Sequence, residues 1–150
     1  MLKTLLFSLI LVGFSLAGEV DLSTPSKAVE SYYDALNEAD MNALQETMLE
    51  DSYDTDIQIY ALSLALQDKD FHKVLKEYQK SDKAKKIVIA AVEQKLRNRQ
   101  KKSIIIQEEI PLGKNRAMVK FTEDLQKKQL YLSGHENTWK IDYLAGRKIN

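Results

Sequence analysis

Hydrophobic residues recur with the period of a helix from about residue 25 to residue 97. The first stripe has the spacing i, i+3, i+4 and i+7, which is typical of one buried face of a helix. Thr24 and Pro25 stand directly before it, and a threonine cap followed by proline favours a helix start at this point. The stripe consists of Val29, Tyr32, Tyr33 and Leu36.

The same period returns four times, each time after a residue that can cap a helix or after a polar interruption. We expect a short helix after Asp40, a third helix after Asp54 or Asp56, a restart after the polar segment 68–70, and a final helix after Ser81. The stripes behind these predictions are Met41, Leu44 and Met48; Ile57, Tyr60, Ala61 and Leu64; Phe71, Val74, Leu75 and Tyr78; and Ala84, Val88, Ala91, Val92 and Leu96.

After Lys102 the period of the hydrophobic residues changes to two. Turn signals at residues 113–115 and 134–137 separate the alternating segments, which predicts four short strands in an antiparallel meander. An antiparallel sheet with one apolar face needs a cover, and the preceding helices can provide it. The sequence therefore predicts an α+β domain in which N-terminal helices pack on a four-stranded antiparallel sheet. The strand segments are Ser103–Ile110, Ala117–Phe121, Leu130–Leu132 and Trp139–Tyr143.

The first residues contain the three parts of a secretory signal peptide. Lys3 supplies a positive start, residues 5–16 are almost wholly apolar, and Ser15-Leu16-Ala17 ends in the small-x-small pattern of a cleavage site. An apolar run of about a dozen residues is short for a membrane span, which needs roughly 20. We expect cleavage after Ala17, which leaves residues 18–150 as a single exported domain. The alternative is an uncleaved N-terminal anchor.

The chain contains no cysteine. This excludes a disulfide framework, a thiolate metal site and lipid attachment through an N-terminal cysteine. The domain must rely on its hydrophobic core, and about 133 residues are enough for one. We therefore expect a soluble protein of the periplasm or the extracellular space, without a lipid anchor.

Charge is unevenly distributed, although the formal net charge is zero. Residues 19–79 contain 14 acidic and 4 basic residues, whereas the segment Lys80–Lys102 contains 9 basic and 2 acidic residues. The basic segment could meet an acidic partner or an anionic membrane surface. We favour the simpler interpretation, a solvated helix face that also complements the acidic first half of the same chain. Nucleic acid is not expected as a partner of an exported protein.

Three stretches of the chain resemble the nuclear-transport-factor-2-like superfamily. Residues 24–40, TPSKAVESYYDALNEAD, resemble its opening helix, Asn115–Phe121 resembles one of its strands, and Asn137–Asp142 resembles its closing strand. Within that superfamily, the chain is most similar to exported lumazine-binding-like domains of unknown function. The resemblance covers Thr24 to about Leu144, with a helical middle, residues 54–100, that is longer than the superfamily pattern.

This resemblance implies a cone, in which a curved sheet wraps against helices and leaves one end open. Members of the superfamily use the open end in different ways: as enzymes such as steroid isomerases and dehydratases, as small-molecule binders, or as protein-binding modules. The fold alone therefore does not decide the function. A homodimer formed through the outer face of the sheet is common in this fold and is compatible with each of these functions.

Tyrosines and aspartates are the candidates for acid–base chemistry. An isomerase-type site needs a carboxylate in an apolar pocket and a hydroxyl or acid that stabilises the developing oxyanion. No spacing in the chain singles out such a pair, so we assign no catalytic residue. We interpret the two aspartates more simply as helix caps, and the first two tyrosines as the packed face of the first helix. The residues concerned are Asp54, Asp56, Tyr32, Tyr33, Tyr60 and Tyr131.

Aromatic side chains are also the candidates for a ligand pocket. We interpret Trp139, the only tryptophan, as a core residue between sheet and helix. Alternatively, a flat apolar ligand could lie among Tyr33, Tyr60, Tyr131 and Trp139. Asp142 alternates with apolar neighbours and is expected to be exposed.

Neither a metal site nor a bound cofactor is expected. The two histidines, His72 and His135, lie far apart in sequence on different types of element. A calcium loop that started at Asp54 would need glycine at its sixth position and glutamate at its twelfth, where the chain has Ile59 and Ala65. The chain also lacks the Gly-x-Ser-x-Gly motif and a glycine-rich phosphate loop.

Three functional hypotheses follow from these observations. We favour an exported cell-envelope binding or interaction domain without catalytic activity, because such a domain needs no special residues. The first alternative is a carrier of a small apolar ligand in the cone, which requires a roomy apolar pocket. The second alternative is an isomerase- or dehydratase-like enzyme, which requires a buried carboxylate of raised pKa that faces a tyrosine.

Overall fold

The computed structural model describes residues 18–146, so the predicted signal peptide, residues 1–17, lies outside the described residues. Within this range five helices precede four strands, as the change in hydrophobic period predicts. The helices are α1 (Pro25–Glu38), α2 (Met41–Glu46), α3 (Glu50–Ala65), α4 (Lys69–Lys76) and α5 (Asp82–Arg97). The strands are β1 (Ile104–Pro111), β2 (Arg116–Glu123), β3 (Gln126–His135) and β4 (Thr138–Ile141).

Helix α1 contacts helices α2 and α5 as well as strands β1, β2 and β4. Its start is the predicted one, because the hydroxyl of Thr24 accepts a hydrogen bond from the Lys27 N–H at 3.2 Å. The helix ends at Ala39, which adopts a left-handed conformation with φ of 53°, and Asp40 then caps α2. Its predicted apolar stripe is buried, which makes α1 the link between the helices and the sheet.

Helix α3 begins at Glu50, earlier than predicted. Leu49 occupies the cap position without a side-chain hydrogen bond, and its N–H donates to the carbonyl of Ile141 at 3.0 Å. The prediction that Asp54 or Asp56 caps this helix is therefore wrong, since both residues lie inside it. The helix start depends on a contact with β4, which the local sequence does not reveal. Acidic residues in the first turn stabilise this start, because they face the positive end of the helix dipole.

The strands form one antiparallel sheet in the order β1-β2-β3-β4, which confirms the predicted meander. Strand β1 contains a bulge between Ile106 and Glu108, and such bulges increase the local twist of a sheet. The sheet does not close on itself, so β1 and β4 are its edges. The Glu109 side chain of β1 accepts two hydrogen bonds from Ser26 at the start of α1, which fastens this edge to the helix layer.

The edge of β4 is covered by segments from elsewhere in the chain. The Trp139 N–H donates to the carbonyl of Leu22, and the Ile141 N–H donates to the carbonyl of Thr47, both at 2.9 Å. Because an uncovered edge strand presents unpaired backbone groups, these contacts protect β4 from pairing with another chain. They also place the start of α3 beside the last strand.

The hydrophobic core lies between the helices and the inner face of the sheet, as an α+β arrangement requires. Asp142, expected to be exposed, is buried at the end of the sheet, which corrects that prediction. Its carboxylate accepts hydrogen bonds from the Ser133 hydroxyl at 2.6 Å and from the Leu144 N–H at 2.9 Å, and these bonds offset its removal from water. The largest fully buried apolar side chains include Val29, Leu36, Ile57, Val88, Leu96, Phe121, Leu132 and Ile141.

Among residues 18–146, every helix is too short or too polar to cross a membrane.

Candidate functional site

A carboxylate and two phenols meet in the interior of the protein. Tyr32 on α1 donates a hydrogen bond to Oδ2 of Asp56 on α3 at 2.8 Å. Tyr143, which follows β4, donates to the other oxygen, Oδ1, at 2.7 Å. The two phenol oxygens lie 3.5 Å apart, and Asp56 is only 6% exposed. Three separate parts of the chain therefore converge on one buried carboxylate.

The helical period directs Asp56 into the core. It lies on the same side of α3 as Tyr53 and Ile57, both buried, so its side chain points away from solvent. Tyr143 is held in place by its backbone, because its N–H donates to the hydroxyl of Ser52 at 3.0 Å. Helix α3 thus supplies both the carboxylate and the hydroxyl that positions one of its phenol donors.

Burial raises the pKa of Asp56 above its ordinary value of 3.8, because removal from water penalises the charged form. Hydrogen bonds from Tyr143 and Tyr32, and the charge of Arg99, oppose this rise. Burial also raises the pKa of both phenols, and the nearby carboxylate adds to that rise. The phenols therefore stay protonated at neutral pH and keep donating to Asp56.

Tyr60 and Arg99 extend this group toward α5. The guanidinium carbon of Arg99 lies 5.8 Å from the centre of the Tyr60 ring, and Nζ of Lys95 lies 5.9 Å from it, both within the range of a cation–π contact. Burial and the Asp56 carboxylate raise the pKa of Tyr60, whereas Arg99 opposes the rise. We call Tyr32, Asp56, Tyr60, Arg99 and Tyr143 the buried polar cluster.

A second buried contact joins α1 to the sheet. The hydroxyl of Tyr33 donates to the carboxylate of Glu123 at the end of β2 at 2.8 Å. Burial, together with this hydrogen bond, raises the pKa of Tyr33. Lys128 of β3 donates to the same carboxylate at 2.6 Å. Because each polar group has a partner, this contact is adequately explained as a structural link between α1 and the β2–β3 hairpin.

The four aromatic residues predicted to line a pocket lie in different parts of the structure. Tyr33 of α1 contacts the ring of Phe121 in the sheet, whereas Tyr60 of α3 lies beside Arg99. Trp139 packs against the core on the inner side of the sheet. Tyr131 lies on the opposite face of the sheet, because it alternates with the buried Leu132. These side chains do not converge on one pocket.

The buried polar cluster contains residues to which the sequence analysis gave no role. The sequence pattern predicts Tyr143 only as a strand residue and Arg99 only as part of the basic segment. A sequence signal exists for Asp56, since it stands among Tyr53, Ile57 and Tyr60 on one helical face. An aspartate inside an apolar stripe favours a buried, hydrogen-bonded role over a helix cap.

Several residues of the basic segment form ion pairs within the protein. Nζ of Lys85 lies 3.2 Å from the Asp54 carboxylate, and Nζ of Lys102 lies 3.2 Å from that of Asp124. Lys101 pairs with Glu38 at the end of α1 at 2.5 Å. The pairs with Asp54 and Glu38 support the simpler interpretation of the segment, in which it complements the acidic first half of the chain, whereas Lys102 pairs with the turn between β2 and β3.

Residues 18–146 contain no group of three or more His, Cys, Asp or Glu side chains that could hold a metal ion. In comparisons with known proteins, no family model, no curated protein and no solved structure matches this chain. The resemblance to the nuclear-transport-factor-2-like superfamily therefore stays a prediction. The function has to be inferred from the surface of the protein and from the buried polar cluster.

Proposed function

We propose that this protein is an exported cell-envelope interaction domain that binds a protein partner through the outer face of α3. The observation that carries the proposal is a row of exposed apolar side chains on this helix. Ile59, Leu62 and Leu66, the last of which caps the end of the helix, are 60%, 50% and 80% exposed. Their spacing i, i+3 and i+7 places them on one side. We call these three residues the α3 stripe.

The α3 stripe lies opposite the part of the helix that is already packed. Ile57 and Ala61 face the core and are fully buried, so α3 is apolar on both of its sides. Single exposed apolar residues are normal on protein surfaces, whereas a contiguous set of them is typical of an interaction site. A helix that only covered a core would not need apolar residues on its solvent side.

The charge of α3 indicates the chemistry of the partner. Glu50 and Asp51, both exposed, precede the α3 stripe, and the helix contains no basic residue. A complementary surface therefore combines apolar side chains with lysine or arginine beside them. An amphipathic basic segment of another envelope protein has this composition.

The proposal is tested by crosslinking in cells that export the full-length chain. A photoreactive amino acid at Leu62 should capture one partner, and high salt should weaken the capture because exposed charge pairs are screened. Ile105 on β1 provides a matched control position, since it is 62% exposed but belongs to the sheet. The double substitution Ile59→Ser and Leu66→Ser should abolish the crosslink from Leu62.

Two outcomes would contradict this proposal. Equal capture from Leu62 and Ile105 would show that exposure alone explains the crosslinks. Undiminished capture in the double variant would show that the α3 stripe does not contribute to the contact.

The buried polar cluster favours a second candidate, an isomerase- or dehydratase-like enzyme. A buried carboxylate of raised pKa can exchange a proton with a substrate, and a nearby tyrosine hydroxyl can stabilise an oxyanion. Both oxygens of Asp56 are already hydrogen-bonded to Tyr32 and Tyr143. A substrate would have to displace one of these phenols, so we place this candidate second.

Native mass spectrometry of the exported protein separates this candidate from the first. A small molecule that the wild-type protein retains, and that Asp56→Asn and Tyr143→Phe both lose, would favour the enzyme. A clean protein mass in all three would favour the interaction domain. The carrier hypothesis needs a roomy apolar cavity, whereas polar side chains occupy the interior around Asp56.

A further inference from the structure

A groove lies on the surface where α3, α4 and α5 meet. Leu64 of α3, Phe71 of α4 and Ala91 of α5 give it apolar walls, and Lys95 and Arg99 lie further along toward the end of α5. Lys95 donates hydrogen bonds to the carbonyl of Tyr60 and to the hydroxyl of Ser63 on α3. The groove therefore has an apolar part and a cationic part. Its remaining lining residues are Gln67, Asp68, Gln94 and Asn98.

Arg99 has a hydrogen-bonding edge that no group in the described part of the chain uses. Its Nε and Nη2 atoms are buried and have no partner among residues 18–146. These atoms form the side-on edge of the guanidinium, the edge that binds the two oxygens of a carboxylate in parallel. Leaving buried donors of a charged group without an acceptor is costly. The contact of the guanidinium with the Tyr60 ring does not supply these two atoms with an acceptor.

Two acidic groups in the surroundings of Arg99, Asp56 and Asp68, are already engaged. Asp56 accepts from Tyr32 and Tyr143, and Arg99 acts on it without a direct ion pair between described atoms. Asp68 lines the groove, but its carboxylate caps α4 by accepting from two backbone N–H groups. The free edge of Arg99 can therefore be paired only by an acceptor that lies outside residues 18–146.

Helix α4 forms one wall of the groove and is weakly held. None of its residues is buried, and it packs on the core through Phe71, Val74 and Leu75, which are only partly buried. Elements with few buried apolar side chains open at low free-energy cost. A small shift of α4 would let a head group reach the Arg99 edge while an apolar chain stays between the helices.

We propose that this groove binds an amphipathic carboxylate, a molecule with an apolar chain and one carboxylate head group. The head group pairs with Nε and Nη2 of Arg99, and Lys95 adds a second positive charge beside it. The apolar chain lies along Leu64, Phe71 and Ala91. Asp68 also lines the groove, where it disfavours a second negative charge on the ligand.

Binding of decanoate to the full mature chain, below the micellar concentration and followed by isothermal titration calorimetry, tests this site. Arg99→Gln should weaken binding by about ten- to a hundredfold, because hydrogen bonds to a charged group contribute this much. The matched control is Arg97→Gln, since Arg97 is two residues away, exposed and paired with Glu93; its affinity should equal that of the wild type. Decanol, which lacks the carboxylate, should bind about tenfold or more weakly than decanoate.

Arg99→Lys keeps the positive charge but lacks the paired N–H donors of the guanidinium edge. This variant should bind decanoate more weakly than the wild type and more tightly than Arg99→Gln. Circular dichroism verifies that each variant is folded. Leu64→Ser, a substitution in the apolar wall, should also weaken binding. Three results would overturn the proposal: no decanoate binding by the wild type, equal binding by decanol, or equal losses in the Arg97 and Arg99 variants.

Discussion

The pKa of the buried residue Asp56 makes the stability of the protein depend on pH. The two phenol donors of Asp56 supply good hydrogen bonds, yet burial still raises its pKa, which means that the folded protein binds its proton more tightly than the unfolded chain does. When folding raises the pKa of an acid, ionisation of that acid destabilises the folded state relative to the unfolded chain. The contribution of Asp56 to the free energy of unfolding should therefore decrease as pH rises above the ordinary value of 3.8.

Asp56→Asn tests this sign, because asparagine has the same shape and does not titrate. The wild type should lose stability relative to this variant as pH rises above the ordinary pKa of 3.8. Urea unfolding at several pH values measures the difference directly. Asp54→Asn is a suitable control, since Asp54 lies on the same helix but is less buried and is bonded to Tyr78 and Lys85. If the wild type instead gained stability relative to Asp56→Asn as pH rises, the phenols and Arg99 would outweigh burial.

Leu125 is a residue whose backbone conformation does not suit its side chain. It lies in the turn between β2 and β3 with φ of 74°, after Asp124 with φ of 45°, and it is 95% exposed. Two consecutive positive φ angles form the turn that favours Asp-Gly or Asn-Gly. The left-handed region costs a leucine about 1–2 kcal/mol relative to glycine, and here no burial offsets that cost.

Leu125→Gly should therefore stabilise the protein by about 0.5–1 kcal/mol, after allowance for the extra freedom that glycine gives the unfolded chain. Asn137 occupies the next hairpin turn with φ of 62°, and asparagine tolerates this region. Asn137→Gly should accordingly change the free energy of unfolding much less. Equal gains at the two turns, or a loss at Leu125, would contradict this explanation.

At the scale of the element, local interactions made most of the fold predictable. Caps such as Thr24, Asp40 and Ser81 act within three residues of their own position, and all three accept backbone hydrogen bonds as predicted. Strand alternation likewise depends only on neighbouring residues, so the four-stranded meander could be predicted from its pattern.

The features that could not be predicted depend on contacts between distant parts of the chain. The start of α3 depends on the Leu49 contact with β4, and the partners of Asp56 lie 24 and 87 residues away from it. The free edge of Arg99 depends on how α5 packs against α3. No local pattern encodes such distances, which is why the candidate sites emerged only from the structure.

At the scale of the whole molecule, the central question is whether the helices and the sheet form one cooperative unit. Contacts of α1 with both α5 and three strands link the two layers, and Tyr143 joins the end of the sheet to α3. Residues 54–100, which contain most of α3 and all of α4 and α5, would be a separate unit if these links were weak. A single shared core predicts one transition that involves both layers.

Two core truncations test this prediction, one in each layer. Leu96→Ala in α5 and Leu132→Ala in β3 remove side chains that are essentially fully buried, and each should cost about 2–5 kcal/mol. Trp139 reports on the sheet through its fluorescence, whereas circular dichroism at the helical band reports on the helices. If the protein is one domain, each variant shifts both urea transitions by the same amount. If Leu96→Ala shifts only the helical signal, α3 to α5 unfold as an independent unit, and the α3 stripe and the groove would then belong to a separable helical domain.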